Sequence, residues 1–346
     1  MGLSLPRILI LDTGGTISQT ASADGSLVPC STDYIEMVPR LHDIARLEVL
    51  RLERMDSSDM TSILRMEMAR LIYENYDGFD GFVVIHGTDT MVETAAALSY
   101  MVQNLGKPVV LTGAQLPIFA PGPDGLNNLY YSVKAASMDL GEVVICFGDR
   151  ILRGNRSIKE NVHGFNAFHS FRVPPLGELG VSVRLLDHRI PRSTSRPCFF
   201  SSLNSGVLYL PMTSGSSISL LEGLQDYPGL EGLILGGFGS GNLPAHEIPA
   251  LKKILSRGIP ALVITTCLKG HTILSLSGAG RKVSDAGARE GFVLTAAAAL
   301  QKMMYALGRV GMEQPGFTGH KRMDAVYRLL VEPVGCDLDK SLLPLV

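Results

Sequence analysis

Ile8-Leu9-Ile10-Leu11-Asp12-Thr13-Gly14-Gly15-Thr16-Ile17 passes from four aliphatic residues directly into a polar, glycine-rich turn. The same switch recurs at Val83-Val84-Ile85-His86-Gly87-Thr88-Asp89-Thr90. A short apolar run closed by such a turn reads as a strand buried on both faces, the habit of parallel sheets. The polar residues then fall at the carboxyl ends of the strands, where open α/β sheets hold their ligands. Two threonine-bearing loops of this kind point to one small pocket shared between them.

Working outward, apolar runs alternate with helical patterns. Alternating Leu47 and Val49 mark a second strand, and Val109–Leu111 and Val143–Phe147 complete a five-strand series with the two already quoted. Leu64, Met68, Leu71 and Ile72 share one face of a predicted helix over Thr61–Asn75. Met91, Ala95, Leu98 and Val102 do so over Thr90–Leu105, and Leu126–Met138 supplies a third helix. This order is the signature of a doubly wound parallel sheet. Prolines, serines and arginines crowd the stretch before residue 206, so the domain boundary is placed within 187–206. The expected division is an N-terminal α/β domain over 1–190, a linker over 191–206 and a C-terminal α/β domain over 207–346. In the latter, Val207–Leu210, Leu233–Leu235 and Ala261–Thr265 read as strands, and Ile248–Arg257, Thr295–Leu307 and Lys321–Leu330 as helices.

Composition narrows the partners. The chain of 346 residues is 46% hydrophobic, which excludes a disordered protein and suffices for two cores. A net charge of −2 offers nothing to a phosphate backbone, so no nucleic-acid partner is expected, and the basic cluster Arg184–Arg196 reads as a solvated linker. No run approaches eighteen apolar residues, so no membrane span is expected, and Met1–Arg7 is too short for a secretory signal. Five scattered cysteines without a Cys-x-x-Cys pair read as reduced thiols of a cytoplasmic protein.

The histidines lack metal-ligand spacing, so neither metal nor cofactor is expected. Gly-x-Ser-x-Gly is absent, and the first loop matches neither phosphate-binding nor dinucleotide-binding glycine patterns. Threonine chemistry remains. A Thr hydroxyl becomes a nucleophile only when a neighbouring base takes its proton or donors stabilise its alkoxide. Each motif also has a plainer reading. Gly14-Gly15 also suits a tight strand-to-helix turn. Thr90-Met91-Val92-Glu93 has the form of a capping box, Asp56-Ser57-Ser58-Asp59 that of a helix N-cap. Lys159 reads as a surface lysine unless it is buried, because desolvation is what would make it a base near neutral pH.

The order of the motifs separates these readings. Thr13-Gly14-Gly15-Thr16-Ile17, Asp56-Ser57-Ser58-Asp59-Met60, His86-Gly87-Thr88-Asp89-Thr90 and Lys159, in this sequence and at these separations, resemble the bacterial-type L-asparaginase family. The likeness extends through Gly106–Val110, Thr112-Gly113-Ala114, Asp124-Gly125 with Asn127-Asn128, and Arg153–Arg156 to Gly239-Ser240-Gly241-Asn242-Leu243. Ser57-Ser58 and the absence of a signal are more similar to the cytoplasmic type I branch than to the periplasmic type II branch.

The resemblance implies a two-domain α/β fold: a larger N-terminal, flavodoxin-like parallel sheet with helices on both faces, and a smaller C-terminal α/β domain. It implies an amidohydrolase that converts L-asparagine to L-aspartate and ammonia through a threonine acyl-enzyme, with L-glutamine as the further candidate substrate. Thr16 then corresponds to the nucleophile, and Thr88, Asp89 and Lys159 to the second catalytic group. Ser57 and Ser58 correspond to the holders of the substrate α-carboxylate, Asp89 to that of its α-ammonium, and Ala114 to a backbone neighbour of the leaving amide. Asn242 matches a position that reaches across a subunit contact, so a homodimer or homotetramer is implied. One position departs: the tyrosine that family members carry after the nucleophile is replaced by Ser26, with Tyr34 the nearest phenol. Two other readings share the scaffold. An ammonia-generating subunit of a glutamyl-tRNA amidotransferase would carry an N-terminal domain where only twelve residues precede Thr13. A non-catalytic amino-acid sensor would bind asparagine without releasing ammonia.

Overall fold

The computed structural model describes residues 4–22, 27–29, 35–38 and 40–342. Ser26, Tyr34 and Cys30 lie outside them. The chain divides into two compact units, Met1–Ser201 and Ser202–Val346.

The first unit is built on β1 (Arg7–Gly14), β2 (Arg46–Met55), β3 (Gly81–Ile85), β4 (Val109–Thr112) and β5 (Val143–Phe147), all mutually parallel. Their order across the sheet is β5-β4-β3-β1-β2. The sheet does not stop at the five strands read from the sequence. Beyond β5 come β6 (Arg150–Arg153), then β9 (Gly177–Glu178) and β10 (Arg184–Leu185), each antiparallel to its neighbour, giving eight strands. Between them a small antiparallel pair, β7 (Ser157–Lys159) and β8 (Phe168–Ser170), stands apart from the main sheet.

The aliphatic runs explain the layering. In β1 and β3 consecutive side chains point to opposite faces, so an uninterrupted apolar run serves two layers at once. Ile8, Ile10, Val83, Ile85, Val110 and Val144 join one cluster with Leu129 and Val133 of helix α3 (Gly125–Ala136). Leu9, Leu11, Phe82 and Val84, on the alternate positions, are equally buried. Helix α2 (Met91–Met101) packs on the strands and on helix α1 (Ser62–Glu74). By contrast β2 is an edge strand with half its residues exposed, as its alternating pattern predicts.

Two local expectations are corrected. The predicted helix over Thr90–Leu105 ends at Met101, where Val102–Gln103 turns extended and pairs with Cys198–Phe199. Of the arginines between 184 and 196, read as a solvated linker, Arg184 and Arg196 are exposed but Arg189 and Arg192 are drawn onto the first unit. Arg189 bonds Asp139 at 2.5 Å, and the half-buried Arg192 donates to the carbonyls of Met138 (2.8 Å) and Ala136 (3.3 Å). Those carbonyls belong to the end of α3 and the residues after it, where the helix dipole favours a cation.

The second unit has a parallel sheet in the order β11 (Val207–Pro211), β12 (Gly232–Gly237), β13 (Ala261–Thr265), β14 (Arg289–Glu290). Helices α4 (Ile248–Ser256), α5 (Gly278–Asp285), α6 (Ala296–Glu313) and α7 (Gly319–Val331) accompany it. Within this unit Lys302 and Asp337, both fully buried, pair at 2.7 Å, and Lys302 also donates to the carbonyl of Glu332. No described helix is long and apolar enough to cross a membrane.

Candidate active site

In the first sheet the chain runs from β1 to β2 on one side and then to β3 on the other. The crevice at such a reversal is where doubly wound sheets bind ligands. The loops leaving β1 and β3 meet there. Gly15 has φ +84°, and a Cβ on it would stand 2.6 Å from Cα and N of Gly87. A Cβ on Gly87 would in turn stand 2.7 Å from the Ser57 hydroxyl. Both positions therefore need glycine, and three loops are drawn to within contact at one point.

Hydrogen bonds fix each loop. The Thr13 hydroxyl donates to the carbonyl of Ile85 at 2.8 Å, tying β1 to β3. Asp12, wholly buried, accepts from Gly14 N–H at 3.0 Å and pairs with Arg54 of β2 at 2.9 Å. Thr16 follows at the start of a 3-10 turn over Thr16–Ser18; Ile17 beneath it is fully buried and Thr16 itself half-buried. Downstream, Gln19–Ala21 pairs antiparallel with Leu27–Pro29.

In the loop after β2 Asp56 caps a 3-10 turn over Ser57–Asp59, accepting from Ser58 N–H at 2.8 Å and Ser58 O–H at 2.7 Å. Helix α1 itself is capped by Thr61 and not by the expected Asp56–Asp59 stretch. The two Ser58 donors hold the Asp56 carboxyl below the ordinary carboxylate range. Ser57 is buried and Ser58 exposed. The Ser57 hydroxyl accepts from Asp89 N–H at 3.2 Å, which leaves its own hydrogen to donate. Thr90 does not cap α2, contrary to the capping-box reading. Its hydroxyl donates to the Ser57 carbonyl at 2.6 Å, stitching the second loop to the third.

Lys159, at the end of β7, is no free surface lysine. Its side chain is 18% exposed, and Nζ lies 2.9 Å from Thr88 Oγ1 and 2.5 Å from Asp89 Oδ1. Thr88 is buried while the Asp89 carboxylate remains largely exposed, open to a cationic group. An ammonium beside Thr88 Oγ1 favours that oxygen's deprotonated form. Ala114 is buried on the loop after β4, and its neighbour Gly113 accepts from Asn128 at 3.0 Å.

Sequence reasoning missed Gln115. Its Oε1 stands 3.4 Å from the Thr88 hydroxyl, while its Nε2 donates to the carbonyl of Val162 at 2.9 Å. Asp124 receives the backbone N–H groups of Gln115 and Leu116. The adjacent motif residues Gly113-Ala114 were its one available signal. Thus Thr88, Asp89, Lys159 and Ser57 are linked by direct hydrogen bonds, and Thr16 follows Gly15, whose backbone abuts Gly87. Asn242 lies in the second unit, its Oδ1 accepting from Ser277 at 2.6 Å. No group of three His, Cys, Asp or Glu side chains able to hold a metal occurs among the described residues.

Two family models cover most of the chain: the asparaginase N-terminal domain over residues 7–191 and the glutaminase/asparaginase C-terminal domain over 206–315. The chain belongs to the asparaginase family. Among its relatives, L-asparaginase 1 of Escherichia coli K12 is 34% identical over 314 residues, covering 87% of this chain and 92% of that protein. The structure of the thermostable L-asparaginase from Thermococcus kodakarensis superposes with a TM-score of 0.84 at 27% identity, covering 96% of this chain and 99% of that one. A probable cytoplasmic L-asparaginase from Campylobacter jejuni gives 0.76 at 27% identity, covering 93% and 99%. The asparaginase fold thus accounts for both units, the larger with its parallel-rich sheet and the smaller α/β one.

Proposed function

We infer that this chain is an L-asparaginase, hydrolysing the side-chain amide of L-asparagine to L-aspartate and ammonia. The observation that carries the reading is the contact of Lys159 Nζ with both Thr88 and Asp89, at the reversal point where Gly15 abuts Gly87. In this proposal Asp89 takes the substrate α-ammonium. The free hydrogen of Ser57 takes the α-carboxylate, a neutral donor to an anion and one acid to a cation; Ser58 joins it by giving up one of its two bonds to Asp56. The Thr16 oxygen attacks the side-chain amide carbon. The carbon–nitrogen bond breaks, the nitrogen leaves as ammonia with the hydroxyl proton, and an ester to Thr16 forms. Water then cleaves the ester, restoring the hydroxyl. Thr88, its oxygen beside the Lys159 amine, relays protons in both halves; backbone N–H groups around residue 88 meet the developing oxyanion, and the backbone of Ala114 neighbours the leaving amide.

Asn242 is proposed to serve a neighbouring copy in a homodimer or homotetramer, an isologous arrangement checked by light scattering. A cytoplasmic location is supported by the likeness to a probable cytoplasmic relative.

A coupled ammonia assay on asparagine, glutamine and their D-isomers tests the reading. Wild-type protein is expected to release ammonia from L-asparagine, and Thr16→Ala to release none while melting at the wild-type temperature. Wild-type activity in Thr16→Ala would overturn the assignment of the nucleophile. Calorimetric binding of asparagine without any ammonia would replace the enzyme with a sensor.

A further inference from the structure

A row of buried polar groups runs behind the second loop. Arg65 of α1, 6% exposed, donates from Nε to Thr94 Oγ1 at 3.1 Å. Thr94 of α2 lies 2.9 Å from His86 Nε2, and His86 Nδ1 lies 2.7 Å from the carbonyl oxygen of Gly87. Thr94 and His86 are both wholly buried.

The acceptors dictate where each hydrogen sits. A carbonyl can only accept, so Nδ1 carries the hydrogen. In a neutral ring Nε2 is then the acceptor, and the Thr94 hydroxyl must point its hydrogen there. Its oxygen is left to accept, and a guanidinium can only donate. Every link therefore has one polarity. A second, half-buried group stands by: Glu93, on the turn of α2 that carries Thr94, leaves Oε2 without a hydrogen-bond partner, and its charge offsets the desolvation of Arg65.

The end of the row matters for chemistry. In a trans peptide the C=O and the following N–H point in opposite directions within one plane. Holding the Gly87 carbonyl against the His86 ring turns the Thr88 N–H away from that interior, towards the crevice. A hydrogen bond on the carbonyl also polarises the peptide and strengthens the N–H as a donor.

We propose that Arg65 is a positioning residue for this site: through Thr94 it locks His86 as the Nδ1–H tautomer and so fixes the Gly87–Thr88 peptide that faces the oxyanion. The proposal deepens the asparaginase reading and rests on it for its kinetic part. Arg65 fills one of the two lone pairs of the Thr94 oxygen and so holds the hydroxyl's orientation; without it the hydroxyl can turn its hydrogen away and accept from the ring. An Nε2–H tautomer then becomes available, which would set the Nδ1 lone pair against the Gly87 oxygen and swing the peptide.

The test compares Arg65→Met, Thr94→Val and Thr94→Ser with wild type. An oxyanion donor acts mainly in the transition state, so kcat for ammonia release is expected to fall about ten-fold in Arg65→Met and Thr94→Val with KM nearly unchanged. Thr94→Ser, which keeps the hydroxyl, is expected to retain wild-type kcat. Nitrogen-15 spectra of the His86 ring are expected to show only the Nδ1–H form in wild type and an Nε2–H share in Arg65→Met. An unchanged tautomer in Arg65→Met, a KM effect in place of the kcat effect, or loss of activity in Thr94→Ser would overturn the proposal. The tautomer spectra need no turnover. If wild type releases no ammonia, the asparaginase reading fails while the spectra still decide the lock.

Discussion

Acidification should find a specific weak point in this fold. His86 is fully buried, and burial pushes its pKa down from 6.5 to about 4, with the nearby Arg65 charge acting in the same direction against the hydrogen bond to Gly87. The native ring is neutral, whereas in the unfolded chain it titrates normally. As the pH falls below 6.5, the unfolded chain takes up a proton that the native ring refuses, and folding weakens. The loss grows until the pH nears 4 and levels off below it, where both states are charged. A gap of this size corresponds to about 3 kcal/mol. The measurement is the urea transition of the first unit at pH 7, 6, 5 and 4, for wild type and His86→Asn. The non-titrating variant shares the other ionisable groups, so the difference between the two isolates His86. At pH 7 wild type should hold its largest advantage; by pH 4 about 3 kcal/mol of it should be gone. A difference that stays flat, or one that moves in favour of wild type as acid is added, would refute the reasoning.

Other perturbations bear on the packing of the loops and cores. Gly15→Ala would force a Cβ to within 2.6 Å of Gly87 and strain a residue at φ +84°; a drop in kcat/KM of about a hundred-fold is expected, with a lowered melting temperature. Arg54→Met would leave the buried Asp12 carboxylate without its ion-pair partner and should cost about 3 kcal/mol in urea unfolding. Adding Asp12→Asn should recover much of that loss, and strict additivity in the double-mutant cycle would show that the pair is not coupled. In the second unit Lys302→Met strands Asp337 at zero exposure and should cost about 3–5 kcal/mol, read as a lowered thermal transition; an unchanged transition would contradict the pairing.

Much of the fold was legible because the central strands are short aliphatic runs that burial on both faces requires. Ile8–Leu11, Val83–Ile85 and Val143–Phe147 could hardly be anything else beside their glycine-rich turns. The outer antiparallel strands were not legible, since Gly177–Glu178 and Arg184–Leu185 are two residues each and carry no period. The arginines of the 184–196 stretch misled for a related reason. A charged run normally faces water, but Arg189 and Arg192 find their partners at the end of α3, about fifty residues earlier in the chain. Nothing local to the run announces those partners.

Within the site, residues legible as motif members are those at strand ends, and those illegible act through helices behind them. Arg65 shares the buried stripe of α1 with Met68, Ala69 and Ile72, a charged side chain where the helical pattern calls for an apolar one, and it is held there by Thr94. Thr90 shows the opposite failure, a local rule overridden by the site. A capping threonine needs extended backbone, but Thr90 has φ −117° and ψ 20° because the preceding loop must carry Thr88 and Asp89 to the crevice. Its hydroxyl is then turned to Ser57, and Glu93 bonds its own backbone N–H instead of reaching back to Thr90. The helix start gives up its box, and the loop after β3 is tied to Ser57 instead. Where a well-formed local signal is disobeyed in this way, the geometry being protected is that of the functional loop, and the disobedience itself marks the site.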